Sequence, residues 1–291
     1  MRRKRDAGGP VAAKSRRAAR CGAGFGAGLG GTRRPGHRWH ERAAAPDATK
    51  SGHVARSGAS GGSGATAILV AAGAGKRLGT KGDKAFVAIG GRPLLLYSLV
   101  ALERSPDVER TVVVVRRSAV RKSQALVKRF ALRKVEAIVT GGRRRQDSVR
   151  NGLRFAGDCE YVLVHDAARP FLSQRLISKT MAACRRTGAA IAAEPVSDTV
   201  KKVNGGRVAM TIPRETLWLA QTPQAFRREL LEDAFKKWPD ERDATDDASV
   251  LERAGKRIAI VRGESFNIKI TCPADIILAE SLLKSGKRLT G

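Results

Sequence analysis

The sequence is poor in aromatic residues: Phe, Trp and Tyr make up 4% of its 291 residues. A core must then be built from Ala, Val, Ile and Leu, and a base-stacking RNA surface lacks its rings. Cysteine is scarce as well. Cys21, Cys159, Cys184 and Cys272 stand far apart and form no CxxC pair. That spacing excludes a zinc ribbon or a dense disulfide framework and leaves reduced, buried thiols in a cytosol-like compartment. No run of 18 apolar residues occurs, so no transmembrane helix is expected. There is no G-x-S-x-G elbow to accompany His165, the only histidine after residue 65. A Ser-His-Asp hydrolase is therefore not indicated, and His165 reads as structural. RRM, KH and helix-turn-helix signatures are also missing.

Positive charge is in excess, at +29 net. Residues 1–65 carry 14 Lys or Arg against 3 Asp or Glu, and the remaining 226 residues carry 42 against 24. The body is thus basic in its own right. Such a field suits nucleic-acid phosphates or the steering of small polyanionic substrates, and charge alone does not choose between them. Residues 1–65 are rich in Gly, Ala, Arg and Ser and have no apolar periodicity. They bury too little to offset the entropy of ordering, so a disordered basic tail is expected there. It lacks the apolar stretch of a secretory signal. Three readings of it stay open: an Arg-rich transit segment, a nucleic-acid-binding arm, or sequence upstream of the true start. The protein is accordingly expected in the cytoplasm, or in an organelle if the tail is a transit segment.

From residue 66 the pattern changes, and one domain is expected over 66–291. Ala67–Ala71 reads as a buried strand, and further strands are expected at Thr111–Val115, Val135–Val139, Tyr161–Val164 and Ala189–Ala193. Helical spacing lies between them, at Pro93–Glu103, Ser118–Phe130, Asp147–Phe155 and Ser173–Thr187. This alternation predicts an α/β fold: a Rossmann-like, mostly parallel sheet with helices on both faces. After Pro195 the rhythm breaks. Asn204-Gly205-Gly206 favours a tight hairpin, which predicts a protruding β-arm over about 196–222. Two helices, a strand near Arg257–Val261 and a last helix from Pro273 close the domain.

The first strand runs into Ala71-Ala72-Gly73-Ala74-Gly75-Lys76-Arg77-Leu78-Gly79. Small residues let backbone N–H groups approach an anion, and ligands of open α/β sheets bind at the carboxyl ends of strands. A phosphate loop is expected here, although the spacing fits neither the Rossmann fingerprint nor the P-loop. An ordinary glycine turn remains the alternative. Gly141-Gly142-Arg143-Arg144-Arg145-Gln146-Asp147-Ser148 follows a strand and opens a helix, a place for an anion or a nucleobase edge or a plain helix cap. Asp166 and Arg169, in Val164-His165-Asp166-Ala167-Ala168-Arg169-Pro170, close the fourth strand. A carboxylate there suits Mg²⁺ together with substrate phosphates, or a structural Asp–Arg pair.

A strand, then Ala-Ala-Gly-x-Gly-x-Arg, then a lysine, resembles the nucleotidyltransferases that activate sugar phosphates. Within them, the later segments resemble the family of 2-C-methyl-D-erythritol 4-phosphate cytidylyltransferases over about residues 66–285. These segments are Ser197-Asp198-Thr199-Val200-Lys201, Arg214 with Leu217-Trp218, Gln221-Thr222-Pro223-Gln224, Thr245-Asp246-Asp247-Ala248-Ser249 and Asn267-Ile268-Lys269-Ile270-Thr271. The resemblance implies transfer of CMP from CTP to a sugar-alcohol phosphate, with release of pyrophosphate. It implies Arg77, Lys84 and Lys269 as catalytic cations. Ala71, Ala72, Gly73, Gly75, Gly142 and Ser148 would hold CTP. Asp166, Arg169, Thr199, Arg214, Thr222 and Thr245 would face the acceptor, with Asp166 also binding Mg²⁺. It further implies a homodimer through the β-arm, in which Thr199 and Arg214 reach the partner's site. One segment departs from the pattern: Gly82-Asp83-Lys84-Ala85 stands where relatives show Pro-Lys-Gln. The charge is kept and the loop's backbone is not implied. A ribitol-5-phosphate cytidylyltransferase shares much of this motif set and is the alternative. A basic nucleic-acid-binding protein is the alternative of another class. No membrane partner is expected.

Overall fold

Strand β1 (Ala65–Val70) shows why this chain forms a two-sided sheet. Ala67 and Leu69 enter one apolar layer and Ile68 enters the other. The same alternation recurs in β4 (Val108–Val115), where Val113 and Val115 face the first layer and Val112 and Val114 the second. A strand buried on both faces needs apolar residues at every position, which is what these β-branched runs supply. The computed structural model describes residues 64–73, 75, 78, 83–239 and 241–285. Residues 1–63 of the expected basic tail and Arg77 lie outside the described residues, and β1 starts at Ala65, the last residue expected of that tail.

A small hairpin of β2 (Ala88–Ile89) and β3 (Arg92–Pro93) precedes helix α1 (Leu94–Arg104). After β4 come α2 (Val120–Arg129), β5 (Val135–Thr140), α3 (Arg145–Leu153) and β6 (Tyr161–Asp166). Then follow α4 (Gln174–Thr187) and β7 (Ala189–Pro195). The arm is β8 (Val200–Asn204) and β9 (Arg207–Ile212). The chain ends with β10 (Trp218–Arg227), α5 (Arg228–Lys236), α6 (Ala248–Arg253), β11 (Ala259–Arg262) and α7 (Pro273–Lys284). Seven strands form the main sheet in the order β11-β7-β10-β6-β1-β4-β5. Pairing is parallel except at β10, which runs antiparallel between β6 and β7. Helices α1, α2 and α4 pack on one face and α3, α5 and α6 on the other. The α/β class expected from the sequence is the observed one.

Three local readings differ. The arm was expected to run to residue 222, but the chain is back in the main sheet from Trp218, which pairs with Pro195. The polar segment Gln221-Thr222-Pro223-Gln224 hides this strand from an apolar count, and its ladder to β7 is broken between Ala220 and Gln224. The hairpin itself turns at Gly205-Gly206 (φ 54° and 75°), opposite Asn204↔Arg207. Two positive φ values make glycine the residue for both positions. Helix α3 begins at Arg145, two residues before the expected start. Asp147 is then the third residue of the helix and accepts the Arg144 backbone N–H at 3.0 Å. Finally, of the described cysteines only Cys184 is fully buried, its thiol pushed up to about 12 by that burial. Cys159 and Cys272 are half-buried.

Candidate active site

The parallel strands β1, β4, β5 and β6 all end at one edge, where Val70 pairs with Asp166. A cleft of about 700 Å³ opens there. Ala71, Ala72 and Gly73 line it on leaving β1, and Gly142 and Ser148 line it at the start of α3. The two sides touch: a Cβ on Gly141 would lie 2.3 Å from the Ala72 Cβ. Ser148 Oγ accepts the Gly142 N–H at 3.1 Å and donates to the Arg144 carbonyl at 3.2 Å. The hydroxyl thus fastens the glycine turn to the helix. Lys84 also lines this cleft, from a one-turn 3-10 helix, Lys84–Phe86. Asp83 precedes it with φ −74° and ψ 120°, values a proline would adopt. Gly75 is described but does not line the cleft; a Cβ there would meet the Lys84 Cβ at 2.8 Å.

A second cleft of about 350 Å³ adjoins the first. Arg169, Thr222, Gln224 and Thr245 line it. Arg145, Asp166 and Lys269 line both clefts and form the seam between them. Asp166 Oδ1 accepts from Arg145 Nε at 3.0 Å, and its Oδ2 accepts from Lys269 Nζ at 2.6 Å. Burial would raise this carboxyl, but Arg145 and Lys269 outweigh it and hold it well below the usual carboxylate range. Arg145 also places Nη2 2.8 Å from Asp247 Oδ2. Both atoms lack a well-aligned hydrogen bond, so this contact is chiefly Coulombic. Burial works against the Arg145 charge, yet Asp247 and Asp166 keep its pKa raised. Asp247 is buried deeply enough that desolvation pushes its carboxyl up despite Arg145.

Beneath the seam runs a relay of neutral groups. The Asp166 N–H donates to Thr222 Oγ1 at 3.0 Å, and Thr222 Oγ1 lies 3.0 Å from His165 Nδ1. His165 Nε2 lies 3.1 Å from the Arg169 carbonyl. The donor pattern assigns the proton to Nε2 and leaves Nδ1 to accept from Thr222. Burial depresses the imidazole to about 4. His165 and the Thr222 hydroxyl therefore set the backbone that presents Asp166 and Arg169. The Arg169 guanidinium donates to the carbonyls of Asn267 at 2.6 Å and Ala220 at 3.4 Å. It makes no ion pair with Asp166, so the simple Asp–Arg pair read from the sequence is not what forms.

Thr199 and Arg214 are exposed near the arm and line neither cleft of their own chain. Arg214 donates to the Ser197 carbonyl. Two residues the sequence reading did not single out build the seam: Arg145, which lines both clefts, and Asp247, buried against it. Their signal was present: an arginine in the first turn of a helix that opens on two glycines, and a second carboxylate beside Asp246.

A glycine-lined cleft at the carboxyl ends of a mostly parallel sheet, with cations converging on one strand-end carboxylate, suits a nucleotidyltransferase. The family model of 2-C-methyl-D-erythritol 4-phosphate cytidylyltransferase matches residues 65–285. The enzyme of that name from Syntrophus aciditrophicus is 44% identical over 222 residues, covering 75% of this chain and 95% of that protein. Its counterpart from Geobacter metallireducens is 42% identical over 224 residues, covering 75% and 97%. Among solved structures, the 4-diphosphocytidyl-2C-methyl-D-erythritol synthase of Anaerococcus prevotii superposes with a TM-score of 0.68 at 32% identity, covering 77% of this chain and 97% of that one. The Thermus thermophilus cytidylyltransferase gives 0.63 at 33%, covering 76% and 99%. The chain belongs to the 2-C-methyl-D-erythritol 4-phosphate cytidylyltransferase family.

Proposed function

We infer that this enzyme transfers CMP from CTP to 2-C-methyl-D-erythritol 4-phosphate, releasing pyrophosphate and forming 4-diphosphocytidyl-2-C-methyl-D-erythritol for non-mevalonate isoprenoid synthesis. The observation that carries the mechanism is the pair of clefts meeting at Asp166, Lys269 and Arg145. CTP takes the larger cleft, its base beside Gly142 and Ser148 and its phosphates toward Ala71, Ala72 and Gly73. The acceptor takes the smaller one, its phosphate toward Arg169 and Thr245. An acceptor phosphate oxygen attacks the α-phosphorus in line, the bond to the β-phosphate oxygen breaks, and pyrophosphate leaves. The attacking oxygen is already anionic, so neither a protein nucleophile nor a general base is needed. The protein supplies position and positive charge. Lys269 borders both clefts and stands where the transferred group passes. Lys84 and Arg77 serve the triphosphate.

Among the described residues no cluster of three His, Cys, Asp or Glu gathers. Asp166 therefore offers a single carboxylate, with lone pairs left beyond those that Arg145 and Lys269 occupy. That donor set fits Mg²⁺ arriving with CTP, since magnesium takes one or two carboxylates plus substrate phosphates. When bound, the ion neutralises phosphate charge. A homodimer through the arm is supported by Val203, Val208 and Met210, large apolar side chains exposed on the hairpin. It would give Thr199 and Arg214 the role their own chain does not. Among the described residues no helix is long and apolar enough to cross a membrane; with bacterial relatives, a cytoplasmic enzyme is the reading we favour.

Pyrophosphate release by the full chain with CTP and Mg²⁺ tests this. Release is expected with methylerythritol phosphate and not with ribitol 5-phosphate or without acceptor. Release only with ribitol 5-phosphate would overturn the acceptor assignment, and release with neither would overturn the activity.

A further inference from the structure

We propose that Asp83 is a positioning residue for the nucleotide cleft. Its carboxylate clasps the turn after β4 and so fixes the helical turn that presents Lys84. The clasp is specific. Ser118 Oγ lies 3.0 Å from Asp83 Oδ1 and 3.1 Å from Oδ2, and Arg116 Nη1 lies 3.8 Å from Oδ1. The Asp83 side chain is only 11% exposed, although Arg116 and Ser118 are surface residues. A carboxylate accepting from a hydroxyl and facing a guanidinium makes a stronger tie than a neutral hydrogen bond.

What the tie holds is the start of the Lys84 turn. The Asp83 carbonyl accepts the Phe86 N–H at 2.9 Å, and the Lys84 carbonyl accepts the Val87 N–H at 3.1 Å. The far side of Lys84 is packed on the glycine loop: a Cβ on Gly75 would lie 2.8 Å from the Lys84 Cβ. Lys84 is thereby set between the phosphate loop and the Arg116–Ser118 turn, and both Lys84 and that turn line the larger cleft. A three-residue 3-10 turn has few hydrogen bonds of its own to fix its direction. Displacing a reacting-site group by about 1 Å costs up to about 100-fold in rate. A charged clasp just before the lysine is the device that prevents this here.

This inference rests on the reading of Lys84 as a triphosphate cation, so the test includes that lysine. Steady-state rates, equilibrium CTP binding without acceptor and melting temperatures are measured for Asp83→Ala, Ser118→Ala, the double variant, Asp83→Pro and Lys84→Ala. Asp83→Ala and Ser118→Ala should each lower kcat by about tenfold or more, while CTP affinity and acceptor KM stay within about threefold. The double variant should be no slower than the slower single, because both remove one clasp. Asp83→Pro should recover most of the lost rate, since φ −74° lies in proline's range and the ring fixes the backbone without the carboxylate. Unchanged kcat in Asp83→Ala, additive losses in the double variant, or an Asp83→Pro enzyme as slow as Asp83→Ala would each overturn the clasp while a slow Lys84→Ala left the reading of Lys84 standing. A fully active Lys84→Ala enzyme would remove that reading and the clasp with it.

Discussion

Gly141→Ala tests the floor of the nucleotide cleft with one carbon atom. A Cβ at residue 141 would lie 2.3 Å from the Ala72 Cβ and 2.8 Å from Ser148 Oγ. Carbon atoms settle at about 3.5–4.0 Å, so the two walls must part by more than about 1 Å. The Ala72 methyl is fixed to the backbone and cannot turn aside. The Ser148 hydroxyl can turn, but only by releasing the Gly142 N–H it accepts at 3.1 Å. Overpacking of this kind costs about 1–3 kcal/mol, and the lost hydrogen bond adds about 1 kcal/mol. In a domain of this size that lowers the melting temperature by roughly 5–10 °C. The wider slot should raise the KM for CTP about tenfold or more, with the acceptor's KM within about twofold. Thermal melts and initial rates of pyrophosphate release measure both. A variant that melts with the wild type and keeps its CTP KM would refute the close apposition of β1 and α3 on which the cleft is drawn.

Three further outcomes follow from the same geometry. Lys84→Ala should lower kcat by about 100- to 1,000-fold, as loss of one preorganised donor does, with a melting temperature close to wild type, since Lys84 is only half-buried. Arg145→Met leaves Asp247 and Asp166 without their shared cation. Urea unfolding should show a loss of about 3–5 kcal/mol at pH 8 and a smaller loss at pH 5. The sign follows from Asp247, whose carboxyl is raised: the folded state holds its proton better, so stability falls as pH rises through the folded value. His165 gives a slope of the opposite sign. Its folded imidazole is held at about 4 against 6.5 unfolded, so the unfolded chain takes up the proton first as pH falls. Stability should drop by about 3 kcal/mol between pH 6.5 and 4 from this group alone, read as the difference between wild type and His165→Asn in urea titrations.

Where the sequence was legible, one physical signal dominated. Val112 to Val115 read as a strand because burial on both faces demands an apolar residue at each position, and Gly205-Gly206 read as a turn because two positive φ values demand glycine. That Ala71–Gly73 and the Asp166 strand end line a cleft was legible because both sit where a parallel sheet delivers its ligands. β10 was not, since its Gln221–Gln224 segment is polar for a reason that exists only in three dimensions. Gln221 Oε1 accepts from Asn267 Nδ2 at 3.0 Å, and Gln224 Oε1 lies 3.2 Å from the N–H groups of Asp247 and Ala248. Buried polar side chains on a central strand are read correctly only when their partners, more than 20 residues away, are known. Asp83 departs from the resemblance in the sequence, but its partner Ser118 lies 35 residues on and carries no pattern of its own.

The arginine run at 143–145 shows what such distant partners accomplish. Arg143 lines the larger cleft. Arg144 reaches Asp243 at 3.6 Å, Arg145 reaches Asp247 at 2.8 Å, and Gln146 donates to the Arg242 carbonyl at 2.9 Å while accepting the Ala244 N–H at 2.5 Å. Three consecutive residues, the N-cap and first two positions of α3, thus hold the 242–247 loop that borders the smaller cleft. Gly142 and Ser148, on either side of them, border the larger cleft. Consecutive positions on a helix point in different directions, so a turn that grips a loop with three of them is fixed in rotation as well as in place. The larger and smaller clefts are in consequence tied to one segment, and the spacing between Gly142 in one and Thr245 in the other is held by the side chains of Arg144, Arg145 and Gln146. With CTP and the acceptor in these two clefts as proposed, in-line transfer depends on their spacing, because each cation acts only once the two phosphates stand in line.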